Sequence, residues 1–204
     1  MRTIALRAGL ALLGLALVLG LGAGSFTVHM VAHMGIVAVA APLIAYGLGG
    51  TQGDPPAGLA WVTPMLASLV ELAVVWFWHV PVLRATADAS RALTLVEQAS
   101  FLAAGLLLWI TCLRPGDGRL AGTIGLLFTS MHMTLLGVLL ALAPRPLYGD
   151  GAVSCFGIPL SAAADQQIGG VVMLMVGALA YLAGGVALLA GLLRDGEEKM
   201  VEER

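Results

Sequence analysis

The sequence predicts an all-α, polytopic membrane helix bundle of about six transmembrane helices, and three observations predict it. Of the 204 residues, 59% are hydrophobic and only 11% charged, where a soluble domain averages about 25% charged. The mean hydropathy is +0.96. The charges are also unevenly placed: eight of the 22 fall in the last eleven positions, Arg194 to Arg204, leaving 14 for the first 193. Such a chain cannot clothe a soluble surface. The composition excludes an ordinary cytosolic enzyme, a nucleic-acid-binding domain and a disordered chain.

A spanning helix needs roughly 20 mostly apolar residues. The first such stretch is Ile4–Ala23, with Arg2 before it and Arg7 near its start. It reads as a retained helix; residues 1–25 also fit a signal peptide cleaved near Ala23-Gly24-Ser25. The second stretch is Val28–Leu48, closed by the turn-forming run from Gly49 to Pro56. The third, Leu59–Val80, stops at Pro81, and the fourth, Ala92–Cys112, at Arg114-Pro115-Gly116-Asp117-Gly118. The fifth, Leu120–Ala143, stops at Pro144-Arg145-Pro146. The sixth, Ala162–Leu193, is long enough that it must tilt or leave the bilayer, and residues 194–204 form a charged tail. No break has the composition of an interdomain linker, so residues 1–204 read as a single transmembrane domain. The 27 glycines lie mostly inside apolar runs, where small residues let helices approach closely.

Orientation follows from lysine and arginine bias. With the N-terminus inside, inner segments hold Arg2, Arg7, Arg114, Arg119, Arg194, Lys199 and Arg204, whereas outer segments hold Arg84, Arg91 and Arg145. Seven against three places both termini in the cytoplasm. Cys112 then lies inside and Cys155 outside, so they are not expected to pair.

That topology groups the polar residues. His29 and His33 begin the second helix, His79 ends the third, Glu97 lies near the start of the fourth and Asp165 opens the sixth. All five fall at the outer end, while Glu71 and His132 lie near mid-membrane. Ionisable groups in lipid cost several kcal/mol, so they face the bundle interior and take partners.

His29 and His33 share one helix face at i, i+4, a spacing that suits two ligands on one metal ion. Met30 and Met34 follow them, and Met131 and Met133 flank His132. Imidazole suits copper and thioether selects Cu(I). Carboxylates such as Glu97, Asp165 and Glu71 serve as ligands or fix histidine tautomers from behind. Each group also has a plainer reading. Methionine in a helix fills core gaps. His29 with His33 gives interfacial polarity, and His79, after Trp76-Phe77-Trp78, fits an aromatic belt. Glu71 and His132 are expected to hydrogen-bond to each other across helices, in preference to ligation.

With these residues in view, the chain resembles the CtaG-type, multi-span cytochrome c oxidase assembly factor family. The resemblance rests on His29-Met30-Val31-Ala32-His33-Met34 leading to Ala41-Pro42-Leu43, and on Trp76-Phe77-Trp78-His79-Val80-Pro81. It continues through Glu97-Gln98-Ala99-Ser100-Phe101 up to Trp109, Met131-His132-Met133, Pro146-Leu147-Tyr148 and Asp165-Gln166-Gln167-Ile168-Gly169-Gly170. The motifs run in family order over residues 28–182. The chain departs from the pattern at Thr94 and Gln98, where the family tends to carry histidines, and it is short for the family, which often has a seventh span. The resemblance implies a role in maturing a haem–copper oxidase by supplying copper, with His29, His33, His79, His132 and Asp165 carried over.

The expected function is therefore that of a bacterial plasma-membrane assembly factor, not an enzyme, with a copper site, Cu(I) in oxidation state, at the outer face. The proposed ligands are His29, His33, His79, His132, Met30 and Met34, with Asp165, Glu97 and Glu71 behind them. Its partners would be membrane lipid, an oxidase subunit and a periplasmic copper chaperone, with no nucleic acid. The alternatives are a metal-free scaffold packing through Gly177, Gly184, Gly185 and Gly191, a haem protein with axial His33 and His79, and a metal or proton transporter relaying through Glu71 and His132.

Overall fold

In the computed structural model the described residues are 1–22, 24–49, 61–114 and 118–202, with side chains to residue 197. Most of the Gly49–Pro56 break, part of the Arg114–Gly118 break and Ala23 lie outside them. Helix α1 (Arg2–Leu21) is followed by α2 (Phe26–Met34), which runs through a π-helical turn, Gly35–Ala40, into α3 (Ala41–Leu48). Then come α4 (Pro64–Trp78), α5 (Pro81–Asp88), α6 (Arg91–Cys112) and α7 (Arg119–Ala141). A two-stranded antiparallel hairpin, β1 (Ala152–Cys155) and β2 (Ile158–Ser161), leads into α8 (Ala162–Glu202). Among the described residues, five helices are long and apolar enough to cross a membrane, and a sixth if the bent pair α4–α5 counts as one span.

The expected third span is the one that changes. It is a helix of 15 residues that bends by 72° into α5. At about 1.5 Å rise per residue it falls short of a hydrocarbon core of about 30 Å. The cause is Pro81, which supplies no N–H to α4 and begins α5 at its first position. Val80 before it is extended, with ψ of 125°. The hairpin is likewise absent from the sequence expectation; its two-residue turn sets Phe156 at φ 49° and Gly157 at φ 84°.

The π-helical turn also traces to a proline. Ala41 N–H bonds to Ile36 O, five residues back. In that register the next donor would be residue 42, which is a proline and has none. The Val37 carbonyl is left over, and the indole Nε1–H of Trp109 donates to it at 3.0 Å. Trp109 stacks on Tyr181 of α8 at 5.6 Å, and the Tyr181 hydroxyl donates to Oε1 of Glu71 on α4 at 2.7 Å. Three helices and the π-helical turn are thereby tied together in the interior.

Helices α7 and α8 form the most extensive pair. Gly137 and Gly170 bring their backbones together: a Cβ on Gly170 would sit 2.6 Å from Ala141 N and 2.8 Å from Gly137 O. The glycines expected to meet a partner helix are occupied within the chain. Gly184 faces the Trp109 ring, Gly177 faces Met133 and Met34, and Gly185 faces Leu127. Apolar side chains such as Leu135, Leu139, Leu179 and Val186 point outward, as expected of a lipid-facing surface.

Candidate functional site

The fold gathers one polar group at the end of the bundle where α2, α6 and α8 begin and α4 ends. The sequence starts α2 by two devices. Ser25 Oγ accepts from Val28 N–H at 3.2 Å. Asp165 of α8 accepts from Phe26 N–H at 2.6 Å and Thr27 N–H at 3.1 Å, and the Thr27 hydroxyl donates to the Asp165 carbonyl at 2.8 Å. A carboxylate on a helix N-terminus satisfies orphan amides and meets the positive end of the dipole. Asp165 is thus the anchor that fixes α2, and with it His29 and His33.

The bend at Pro81 turns α5 back over this end and inserts Arg84, which is 5% exposed. Its Nη1 donates to Glu97 Oε1 at 3.1 Å and Oε2 at 2.9 Å, and Nη2 donates to Asp88. Nη1 is also 3.2 Å from His29 Nε2. A guanidinium carries only donors, so Nε2 is the acceptor there. The 3.3 Å contact from the same Nε2 to Glu97 Oε1 is then an electrostatic contact, not a second hydrogen bond. Arg84, counted by the sequence among the outer-segment arginines, is the centre of a buried network. A composition count could not place it, because the signal is the Pro81 bend.

His79 caps α4, and its Nδ1–H donates to Val75 O at 2.7 Å. That bond fixes the tautomer, so the neutral ring keeps its Nε2 lone pair free. His79 Nε2 is buried with no hydrogen-bond partner among the described residues, as are both ring nitrogens of His33 and Nδ1 of His29. The His33 and His79 rings meet edge-on at 5.6 Å, and His33 leans on Phe101 at 4.0 Å. Gln98 is fully buried beside Gly20, and neither amide atom has a hydrogen-bond partner among the described residues. Thr94 instead bonds to the carbonyls of Ala87 and Ser90, closing the α5–α6 turn.

Aromatic residues roof the cluster. The Tyr148 ring stacks on Phe26 at 4.3 Å, and Phe26 meets His79 edge-on at 6.4 Å. The Tyr148 hydroxyl donates to His79 O at 2.8 Å, and burial pushes its pKa above the ordinary phenol value. Gln166 holds the same loop, accepting from Leu147 N–H at 2.6 Å and donating to Leu140 O at 3.1 Å.

The other expected residues lie elsewhere. Met30 packs over Gly169 and Met34 over Gly177, both on α8. His132, on α7, leans on Phe128 at 5.8 Å, and neither ring nitrogen has a partner among the described residues. Glu71 Oε1 accepts from Tyr181, and Oε2 has no hydrogen-bond partner among the described residues, so the expected Glu71–His132 bond is not formed. Cys112 and Cys155 are both free.

As a metal centre the cluster offers imidazole lone pairs and no closed cage: among the described residues no three His, Cys, Asp or Glu side chains converge on one point. The donors fit a low-coordinate soft ion better than a tetrahedral one.

A family model described as cytochrome c oxidase caa3 assembly factor matches residues 1–195. No curated protein and no solved structure matches the chain.

Proposed function

The chain belongs to the cytochrome c oxidase caa3 assembly factor family, and on that premise we propose that it helps mature a haem–copper oxidase by holding Cu(I) at the histidine cluster for transfer. The observation that supports this reading is the pair of buried, unpartnered imidazole faces of His33 and His79, with the His79 tautomer set by Val75 O. A buried nitrogen without a partner costs about 1–3 kcal/mol, a cost that a bound ion removes. His33 and His79 would hold the ion, and His29 stands beside them on Arg84. Copper supplies a soft cation that two imidazoles suffice to hold; the chain supplies a dry, preset pair of donors and turns over no substrate. In the arrangement the arginine bias favours, this end faces outward across a bacterial plasma membrane. There it would receive copper from a periplasmic chaperone and meet an oxidase subunit.

A second reading, a metal-free scaffold for that subunit, is favoured by the lack of three converging ligands among the described residues. Deleting the gene and measuring the activity and copper content of the oxidase tests the reading. Loss of oxidase copper with the oxidase polypeptides still inserted supports copper handling; loss of the polypeptides themselves supports the scaffold. An active, copper-replete oxidase would overturn both.

A further inference from the structure

Arg84 places a full positive charge inside the cluster that is proposed to take a cation. Its Nη1 is 3.2 Å from His29 Nε2, His29 shares a helix face with His33, and the His33 ring meets that of His79 at 5.6 Å. Two carboxylates answer it: Glu97, which is fully buried, and Asp88, half of whose side chain is exposed. Asp165 does not, because its oxygens are committed to the first amides of α2. Repulsion between Arg84 and an incoming ion scales with the charge of the ion, so a divalent ion meets twice the penalty of a monovalent one at the same place. Water does not screen the pair, since Arg84, Glu97 and the three histidines are all buried.

We propose that Arg84 is a specificity-determining residue, which offsets one of the two carboxylate charges and so lowers the preference of the His33–His79 site for divalent over monovalent soft cations. The proposal rests on the copper reading above, and it adds a charge rule to it. The rule is quantitative. Any substitution that changes the local charge by one unit shifts the affinity for a divalent ion by the square of the factor it imposes on a monovalent ion.

The test is competition for the purified, detergent-solubilised full chain between Cu(I), kept reduced, and Zn(II), read as dissociation constants. Wild type is compared with Arg84→Gln and with Asp88→Asn, the second at a half-exposed position where the fold is less sensitive to substitution. Arg84→Gln is expected to tighten Zn(II) by at least about tenfold more than Cu(I). Asp88→Asn is expected to weaken both ions, Zn(II) by about the square of the Cu(I) factor. An Arg84→Gln or Asp88→Asn variant whose ratio of Zn(II) to Cu(I) affinity equals that of wild type overturns the charge rule. A wild type that binds Zn(II) but not Cu(I) overturns it as well. A wild type that binds neither ion overturns the copper reading itself and the rule with it.

Discussion

Arg84 Nη1 and Glu97 Oε2 lie 2.9 Å apart in the interior, joining the short helix after Pro81 to the helix that carries Phe101 and Trp109. The pair is both a structural clamp and the electrostatic floor of the histidine cluster. Breaking a buried pair from one side leaves an uncompensated charge, at a cost of about 3–5 kcal/mol. Arg84→Met and Glu97→Gln are each expected to be strongly destabilising, and the double variant to cost less than the sum of the two. Thermal denaturation in detergent of the four forms measures the coupling; additive effects would show that the pair does not act as a unit.

Asp165 bears on the site through the backbone alone. Its carboxylate caps α2 from another helix, so Asp165→Ala is expected to cost about 1–2 kcal/mol and to loosen His29 and His33 together. Hydrogen exchange of the Phe26 and Thr27 amides, compared with wild type, checks this: both are expected to exchange faster while the amides of α7 hold.

The Val37 carbonyl gives a test of the π-helical turn. Trp109→Phe keeps the ring stack on Tyr181 and removes the indole donor, leaving that carbonyl bare at a cost of about 1–3 kcal/mol. Pro42→Ala restores a backbone N–H in the right register, so it is expected to recover part of the loss in the Trp109→Phe background. Melting temperatures of the two single variants and the double variant decide it.

Gly170 tests the helix pair at the back of the bundle. An added methyl would meet the Ala141 and Gly137 backbones at under 3 Å, so Gly170→Ala is expected to destabilise by about 1–3 kcal/mol. Gly14, whose position is open, is the control: Gly14→Ala should be neutral or slightly stabilising.

Much of this was legible in the sequence because it is written as apolar length and as spacing. The runs ending at Leu48, Cys112 and Ala143 set helices, and the i, i+4 spacing of His29 and His33 put both on one face. The clustering of His29, His33, His79, Glu97 and Asp165 at one end followed from topology. The rest depended on how the chain bends. Pro81 read as an end of a span, whereas it starts a helix that carries Arg84 inward. Asp165 read as an ion-handling carboxylate, whereas its oxygens are taken by amides 139 and 138 residues away. Met30 and Met34 share a face just beside the histidine face, and one turn of 100° per residue is enough to point them at α8 instead. Glu71 has no sequence signal naming Tyr181 as its partner, since 110 positions separate them.

The central claim is that the unpartnered imidazoles of His33 and His79 form the copper-holding pair. The copper content of the purified full chain loaded with Cu(I) tests it most directly, wild type against His33→Ala/His79→Ala, with His132→Ala as a control of equal burial. The account predicts about one copper per chain in wild type and in His132→Ala, and none retained in the double variant. Equal copper in wild type and in the double variant would contradict it.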